Sequence, residues 1–301
     1  MAEDLFGNEI VKDVILRDQY IEPPFSVLDT KGANWQGRKR AWLGKGLKSE
    51  IGRDAAVIHL TSSSEEYNAL IKTKKLKTEY TSIFDPVLCE LMYNWFCVKN
   101  GRVLDPFAGG SVRGIVAAYL GYHYTGIELR QEQVDSNYMQ AEEIVPENKP
   151  YWIVGDSNVV LSQMNPSAEE RVCDGIVDKN DFVFSCPPYF DLEKYSDLPD
   201  DLSNMDYPKF LATYESIINK ACKLLKVGGY ACFVVGEVRD KQGNYIGFVP
   251  DTIKAFQKAG MKFYNEAILL NPVASASMRA NGNMKYQKLV KIHQNVLIFK
   301  K

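Results

Sequence analysis

Residues 102–120 read RVLDPFAGGSVRGIVAAYL. Arg102-Val103-Leu104 has the apolar run of a short strand that ends at Asp105. Gly109-Gly110 turn the chain, and Val112 to Leu120 carries the small and apolar residues of a buried helix. A strand that passes through a glycine turn into a helix opens a parallel β-α unit. The alternation then continues. Strands are predicted at Tyr124 to Ile127, Tyr151 to Val154, Phe182 to Phe184, Tyr230 to Val235, Lys262 to Leu270 and Asn295 to Lys300. Helices are predicted at about Gln131 to Ile144, Tyr207 to Leu225 and Asp251 to Ala259, and Lys226 to Gly229 reads as a turn. This pattern predicts an α/β fold with a doubly wound, mostly parallel sheet covered on both faces. No helix separates the last two strands, so they are expected to pair antiparallel.

Upstream, Ser82-Ile83-Phe84-Asp85 resembles a capping box, with Pro86 in the first turn. Phe84, Val87, Leu88, Leu91, Met92 and Trp95 follow as a buried helical stripe. Residues 1–80 differ in character, with turn signals, two tryptophans and little alternation. They read as a small, basic, irregular N-terminal extension, and TSSSEEYNALIK within them as a capped helix start. Residues 81–301 form the main domain.

The 301 residues are ample for a full core, and 46% hydrophobic with 25% charged is ordinary globular composition. No apolar run is long enough to span a membrane, and the acidic start MAEDLFGNEI has no secretory character, so the expectation is cytoplasmic. Six scattered cysteines without a CxxC pair, and three dispersed histidines, argue against a metal site. The net charge of −2 hides an asymmetry. Lys31 to Arg53 holds seven basic residues against one acid, Glu50, whereas Asp191 to Asp206 is acidic.

Ligands of open α/β sheets bind beyond the carboxyl ends of the strands. Three successive strand ends are equipped for this. Asp105 precedes the Gly109-Gly110 turn, where backbone can approach a ligand closely. Glu128 in YTGIELR is placed to accept from ribose hydroxyls, and Asp156 after Gly155 from an adenine amine. The turn lacks GxxxxGK[ST] and GxGxxG. The ordered set therefore points to an adenosine-bearing cofactor with no required phosphate. A fourth strand end, FSCPPYF, runs from Phe184 to Phe190. Two prolines stop the strand and stiffen the turn, leaving free carbonyls and a flat ring at Tyr189.

DPFAGG followed by SCPPY resembles the amino-methyltransferases, which use S-adenosylmethionine to methylate exocyclic nitrogens of cytosine or adenine, mainly in DNA. The likeness covers about Ser82 to the C-terminus. It implies a seven-stranded class I methyltransferase (Rossmann-like) sheet with an antiparallel last strand, and S-adenosyl-L-methionine as cofactor. Cofactor contacts implied are Ser82 and Phe84 on the methionine side, Asp105, Phe107, Gly109 and Gly110 at the turn, Glu128 on the ribose and Asp156 on the adenine. The catalytic tetrapeptide is matched by Cys186, Pro187, Pro188 and Tyr189. In this family's chemistry a backbone carbonyl, here that of Pro187, accepts from the target amine, and the aromatic ring stacks on a flipped base.

The departure is Cys186, where the family has Asp, Asn or Ser. A thiol is a weak acceptor, so the activating bond is expected from Ser185 or from backbone. A covalent cysteine is disfavoured because Cys186 precedes the prolines. Ser is the family residue nearest Cys in size and is associated with cytosine, which tilts the expected target to cytosine N4 over adenine N6. RNA or a modified base is the alternative substrate, and a catalytically decayed nucleic-acid-binding protein the alternative class. Phe190 and Tyr195 are expected to shape the base pocket. Arg38, Lys39 and Arg40, interleaved with Trp35 and Trp42, are the first candidates for DNA contact, against a reading in which the tryptophans dock on the main domain. The basic stretch from Asn271 to Gln294 is the second. PPFSVLDT with WQGRKRAW loosely resembles a segment beside phage DNA-modification proteins. The expected partner is DNA, with no membrane and no metal; a homodimer and a restriction nuclease partner are left open.

Overall fold

The computed structural model describes residues 19–48, 84–164, 179–190, 198, 200–271, 273 and 276–301. Ser82 and Tyr195 lie outside these residues, as do the TSSSEEYNALIK segment, most of the acidic stretch after Phe190 and Cys173. In chain order the elements are β1 (Val27–Asp29), α1 (Ala33–Gly44), α2 (Pro86–Phe96), β2 (Arg102–Asp105), α3 (Val112–Tyr119), β3 (His123–Glu128), α4 (Gln131–Ile144) and β4 (Tyr151–Val154). There follow α5 (Ser157–Gln163), β5 (Asn180–Ser185), a 3₁₀ turn at Leu202–Asn204, α6 (Tyr207–Lys223), β6 (Leu225–Val235), α7 (Phe248–Lys258), β7 (Lys262–Leu270), α8 (Ala276–Met284) and β8 (His293–Lys300).

The strands form one sheet in the order β1-β7-β8-β6-β5-β2-β3-β4. Every pairing is parallel except those of β8, which is antiparallel to both β6 and β7. The doubly wound, mostly parallel sheet and its antiparallel last strand are thus as expected. Among the described residues the sheet has eight strands, not seven. Val27 to Asp29, from the extension, pair parallel with Ile268 to Leu270 and lengthen the sheet at its β7 edge. So the N-terminal segment contributes regular structure, β1 to the main sheet and α1 to a layer that packs on it. Three local expectations also fail. A helix, α8 (Ala276–Met284), does separate the last two strands, which pair antiparallel all the same. Asp85, not Ser82, is the cap of α2, accepting from the Val87 amide at 2.9 Å. Lys226 to Gly229 form no turn between elements but the irregular start of β6, with Gly228 at φ +83° and a register shift opposite Asn180 and Phe182.

Strand alternation splits the core into two layers. Val103, Phe182, Phe184, Cys232 and Val234 face one layer, with α1 to α4; Leu104, Val183, Ala231, Phe233 and Val235 face the other, with α5 to α7. Phe182 and Phe184, two apart on β5, stack at 5.7 Å. The chain runs from β2 outward through β3 and β4, then returns to the other side of β2 as β5. That reversal leaves a crevice at the carboxyl ends of β2 and β5.

Candidate functional site

The crevice holds a cavity of about 340 Å³. Its wall includes Phe84, Phe107, Gly109, Gly110, Glu128, Asp156 and the whole of Cys186-Pro187-Pro188-Tyr189. Residues far apart in sequence converge here because β2, β3, β4 and β5 are adjacent and parallel, so all four end on the same side of the sheet.

Each strand end contributes differently. After β2, Gly109 takes φ +53°, a left-handed conformation that suits glycine, and its amide donates to Glu128 Oε2 at 3.0 Å. Glu128, at the end of β3, also accepts from the Arg130 amide at 3.1 Å through Oε1. Burial raises its pKa above the ordinary value, against the lowering pull of those amides and of Arg130. Asp156 caps α5, accepting from the Asn158 amide at 2.9 Å, and still forms part of the wall.

Three residues expected at the pocket, Asp105, Ser185 and Phe190, do not reach the cavity. Asp105 is fully buried beneath it and accepts from Arg113 Nε at 2.6 Å, the Tyr124 hydroxyl at 2.8 Å and the Ser185 hydroxyl at 2.5 Å. Ser185 is therefore engaged behind the wall and does not offer an acceptor to a substrate. Arg113 also donates to the carbonyls of Phe107 and Ala108 at 2.6 and 2.8 Å, which holds the glycine turn in shape. Phe190 packs into the core instead, edge-on to Tyr207 and Phe210 at 5.2 and 5.5 Å.

Tyr189 is held on three sides. Its hydroxyl lies 3.3 Å from the Val234 carbonyl, accepts from Gln294 Nε2 at 2.7 Å, and sits 3.6 Å from Cys186 Sγ. Its ring lies against Gly236, where an added Cβ would stand 3.2 Å from Cε2. Glu237 is not in the cavity wall; it accepts from the Gly247 and Phe248 amides at 3.0 and 2.8 Å and so holds the start of α7.

The basic cluster of α1 is divided. Trp35 and Trp42 are buried, and their ring N–H groups donate to Asp85 and Glu90 of the α2 region. Arg38 pairs with Glu90, and Lys39 with Asp85 at 2.9 Å. These four positions share one helix face, so that face docks on the main domain. Arg40 is exposed. Lys39, Gln36 and Thr30 form part of the cavity wall, and so do Asn271 and Gln294. Nothing in the local sequence of Thr30, Gln36 or Asn271 signals this; only the pairing of β1 with β7 brings them there. Among the described residues no group of three or more His, Cys, Asp or Glu could hold a metal ion, and no helix is long and apolar enough to cross a membrane.

No protein-family model and no curated protein matches this chain. Among solved structures it is similar to TrmN from Thermus thermophilus, at 13% identity and a TM-score of 0.45, covering 72% of this chain and 49% of that one. This chain thus spans about half the length of that protein. It is also similar to a putative RNA methyltransferase from Pyrococcus horikoshii, at 14% identity and a TM-score of 0.45, covering 88% and 98%. A third is magnesium protoporphyrin IX methyltransferase from Synechocystis with bound SAM, at 11% identity and a TM-score of 0.41, covering 72% and 76%. All three TM-scores lie below 0.5.

Proposed function

We propose that this protein is an S-adenosylmethionine-dependent methyltransferase that modifies the exocyclic amine of a base in DNA, with cytosine N4 as the target. The observation that carries this reading is the convergence of Gly109, Glu128, Asp156 and Cys186-Pro187-Pro188-Tyr189 on one cavity at the topological switch of the sheet.

The residues present fit the cofactor. Glu128 carries two carboxylate oxygens at the cavity wall, each with one amide donor and further lone pairs for ribose hydroxyls. Asp156 uses Oδ1 for its helix cap and has a second oxygen to offer an adenine amine. Gly109 lets backbone come close, and about 340 Å³ suits a nucleoside-sized ligand. S-adenosylmethionine, when bound, supplies a methyl group on a positively charged sulfur.

The chain's own task is to make a poor nucleophile attack. A base amine is conjugated with its ring, and acceptors aimed at its N–H groups draw it toward a tetrahedral, lone-pair-bearing nitrogen. The Pro187 carbonyl, stiffened by its proline neighbour, is one such acceptor. The Tyr189 ring, fixed by Gly236, Val234 and Gln294, gives the base a rigid face. Positioning and fixed dipoles then do most of the catalysis.

A nucleic-acid substrate is supported by the β7–β8 connection. From Asn271 to Asn295 there is no Asp or Glu, and Arg279 and Lys285 are exposed beside Tyr286 and Leu289. Both ends of this arm, Asn271 and Gln294, are in the cavity wall. The test is incubation with unmethylated genomic DNA and S-adenosylmethionine, then nucleoside mass spectrometry. N4-methylcytosine is expected. N6-methyladenine would keep the chemistry and overturn the base; methylation of RNA alone would overturn the DNA substrate.

A further inference from the structure

The tetrapeptide has a thiol where an activating side chain needs a good acceptor, and Ser185 is turned away onto Asp105. The cavity wall contains another candidate. Gln294, second residue of β8, pairs by its backbone with Leu269 and directs its side chain to Tyr189. We infer that Gln294 Oε1 is the side-chain acceptor for the target amine, in the role that Cys186 fills poorly. The inference rests on the base-methylation reading above.

Hydrogen-bond direction fixes which end of the amide is available. The Tyr189 hydroxyl has one proton, and the Val234 carbonyl at 3.3 Å can only accept it. Gln294 must then donate to the Tyr189 oxygen, which turns Nε2 toward the tyrosine and Oε1 away from it. The thiol at 3.6 Å from the same oxygen becomes a donor as well, which uses its proton and leaves only the weak acceptor sulfur. Oε1 makes no hydrogen bond to the described residues, and the single buried, unpartnered side-chain polar atom among them is Trp152 Nε1. Gln294 Oε1 therefore stays accessible, on a side chain of the cavity wall. Cys186 and Gln294 both touch the Tyr189 hydroxyl, so acceptors at the two positions stand at the same edge of the ring.

An amide oxygen also suits the chemistry. It accepts strongly without a negative charge, so it polarises the amine while leaving the positive sulfur unpaired for transfer. Its orientation is set by Tyr189 before substrate arrives, and that preorganisation is what makes an acceptor effective in the transition state.

The experiment compares the parent with Gln294→Met, Cys186→Asp and the double variant. Single-turnover methylation of unmethylated genomic DNA is measured, with S-adenosylmethionine affinity by calorimetry as a check on the fold. Gln294→Met is expected to slow methylation on the order of 100-fold, the scale for removing one preorganised hydrogen bond, with cofactor affinity unchanged. Cys186→Asp in the Gln294→Met background supplies a carboxylate acceptor from the other side and is expected to restore at least about tenfold of that rate. An unchanged rate in Gln294→Met overturns the inference. So does a double variant as slow as Gln294→Met, which would make Gln294 a support for Tyr189 alone. A parent that binds S-adenosylmethionine but methylates neither DNA nor RNA overturns the base-methylation reading itself, a result distinct from either.

Discussion

The Ser185 hydroxyl donates to Asp105 Oδ1 at 2.5 Å, and both side chains are fully buried behind the cavity wall. The bond joins the ends of β2 and β5, the two strands that flank the switch point. Asp105 also binds Arg113 and Tyr124, so one carboxylate ties β2, β3, α3 and β5 together beneath the site. Replacing it with Asn leaves the Arg113 charge buried and unpaired. Asp105→Asn is expected to lose about 3–5 kcal/mol of stability, read from urea unfolding, and Ser185→Ala about 1–3 kcal/mol. Lost activity at unchanged stability would reject this structural role.

Trp35 is 1% exposed and closes α1 onto α2 while donating to Asp85. Trp35→Ala is expected to destabilise by about 3–5 kcal/mol, because a large cavity opens next to Lys39 and Gln36. Arg40→Ala, on the exposed face, should stay within about 0.5 kcal/mol of the parent. Equal effects in denaturant titrations would place α1 outside the folded unit.

Burial raises the Glu128 pKa above that of an ordinary glutamate. Ribose hydroxyls need an ionised acceptor, so S-adenosylmethionine affinity should fall on acidification with a midpoint above about 4.3, the usual glutamate value. Stability moves the other way at this residue. Between the unfolded and the raised folded pKa the native state holds the extra proton, so this group adds stability as pH falls through that window and loses it as pH rises. Calorimetric titration across pH checks the affinity, and Glu128→Gln should abolish this component of the dependence.

The arm between β7 and β8 makes a claim about salt. If Arg279 and Lys285 each neutralise a phosphate, changing both to Ala should flatten the slope of log K against log salt by about 0.9 per phosphate. Arg38→Ala should instead lower thermal stability and leave that slope alone, since Arg38 pairs with Glu90 of α2. Fluorescence anisotropy of a duplex at several salt concentrations separates the two.

The legible parts of this protein were those with short-range physical signals. The β2–α3 unit, the Tyr151–Val154 strand and the Gln131–Ile144 helix stand where periodicity placed them, because one buried face per element leaves its mark residue by residue. Glu128, Asp156, Gly109 and the Cys186 to Tyr189 turn were legible too, since a parallel sheet puts successive strand ends on one side. Illegible were β1, whose three residues acquire meaning only beside β7, and the helix at Ser157–Gln163, too short to show a period. The glycines at the start of β6 read as a turn because glycine signals both turns and bulges.

Local pattern alone, then, settled the α/β class and the strand-end turns that line the cavity. Tertiary structure decided which side chains reach the cavity. Asp105 and Ser185, at strand ends like their neighbours, are drawn beneath it by Arg113, whose charge cannot remain buried without a partner. Thr30, Gln36 and Lys39 are carried into the wall by the pairing of β1 with β7, and Gln294 by the antiparallel insertion of β8 between β6 and β7. Such pairings join residues 241 apart in the chain, as Val27 and Ile268 are. They depend on strand order and charge pairing, quantities that no window of neighbouring residues contains.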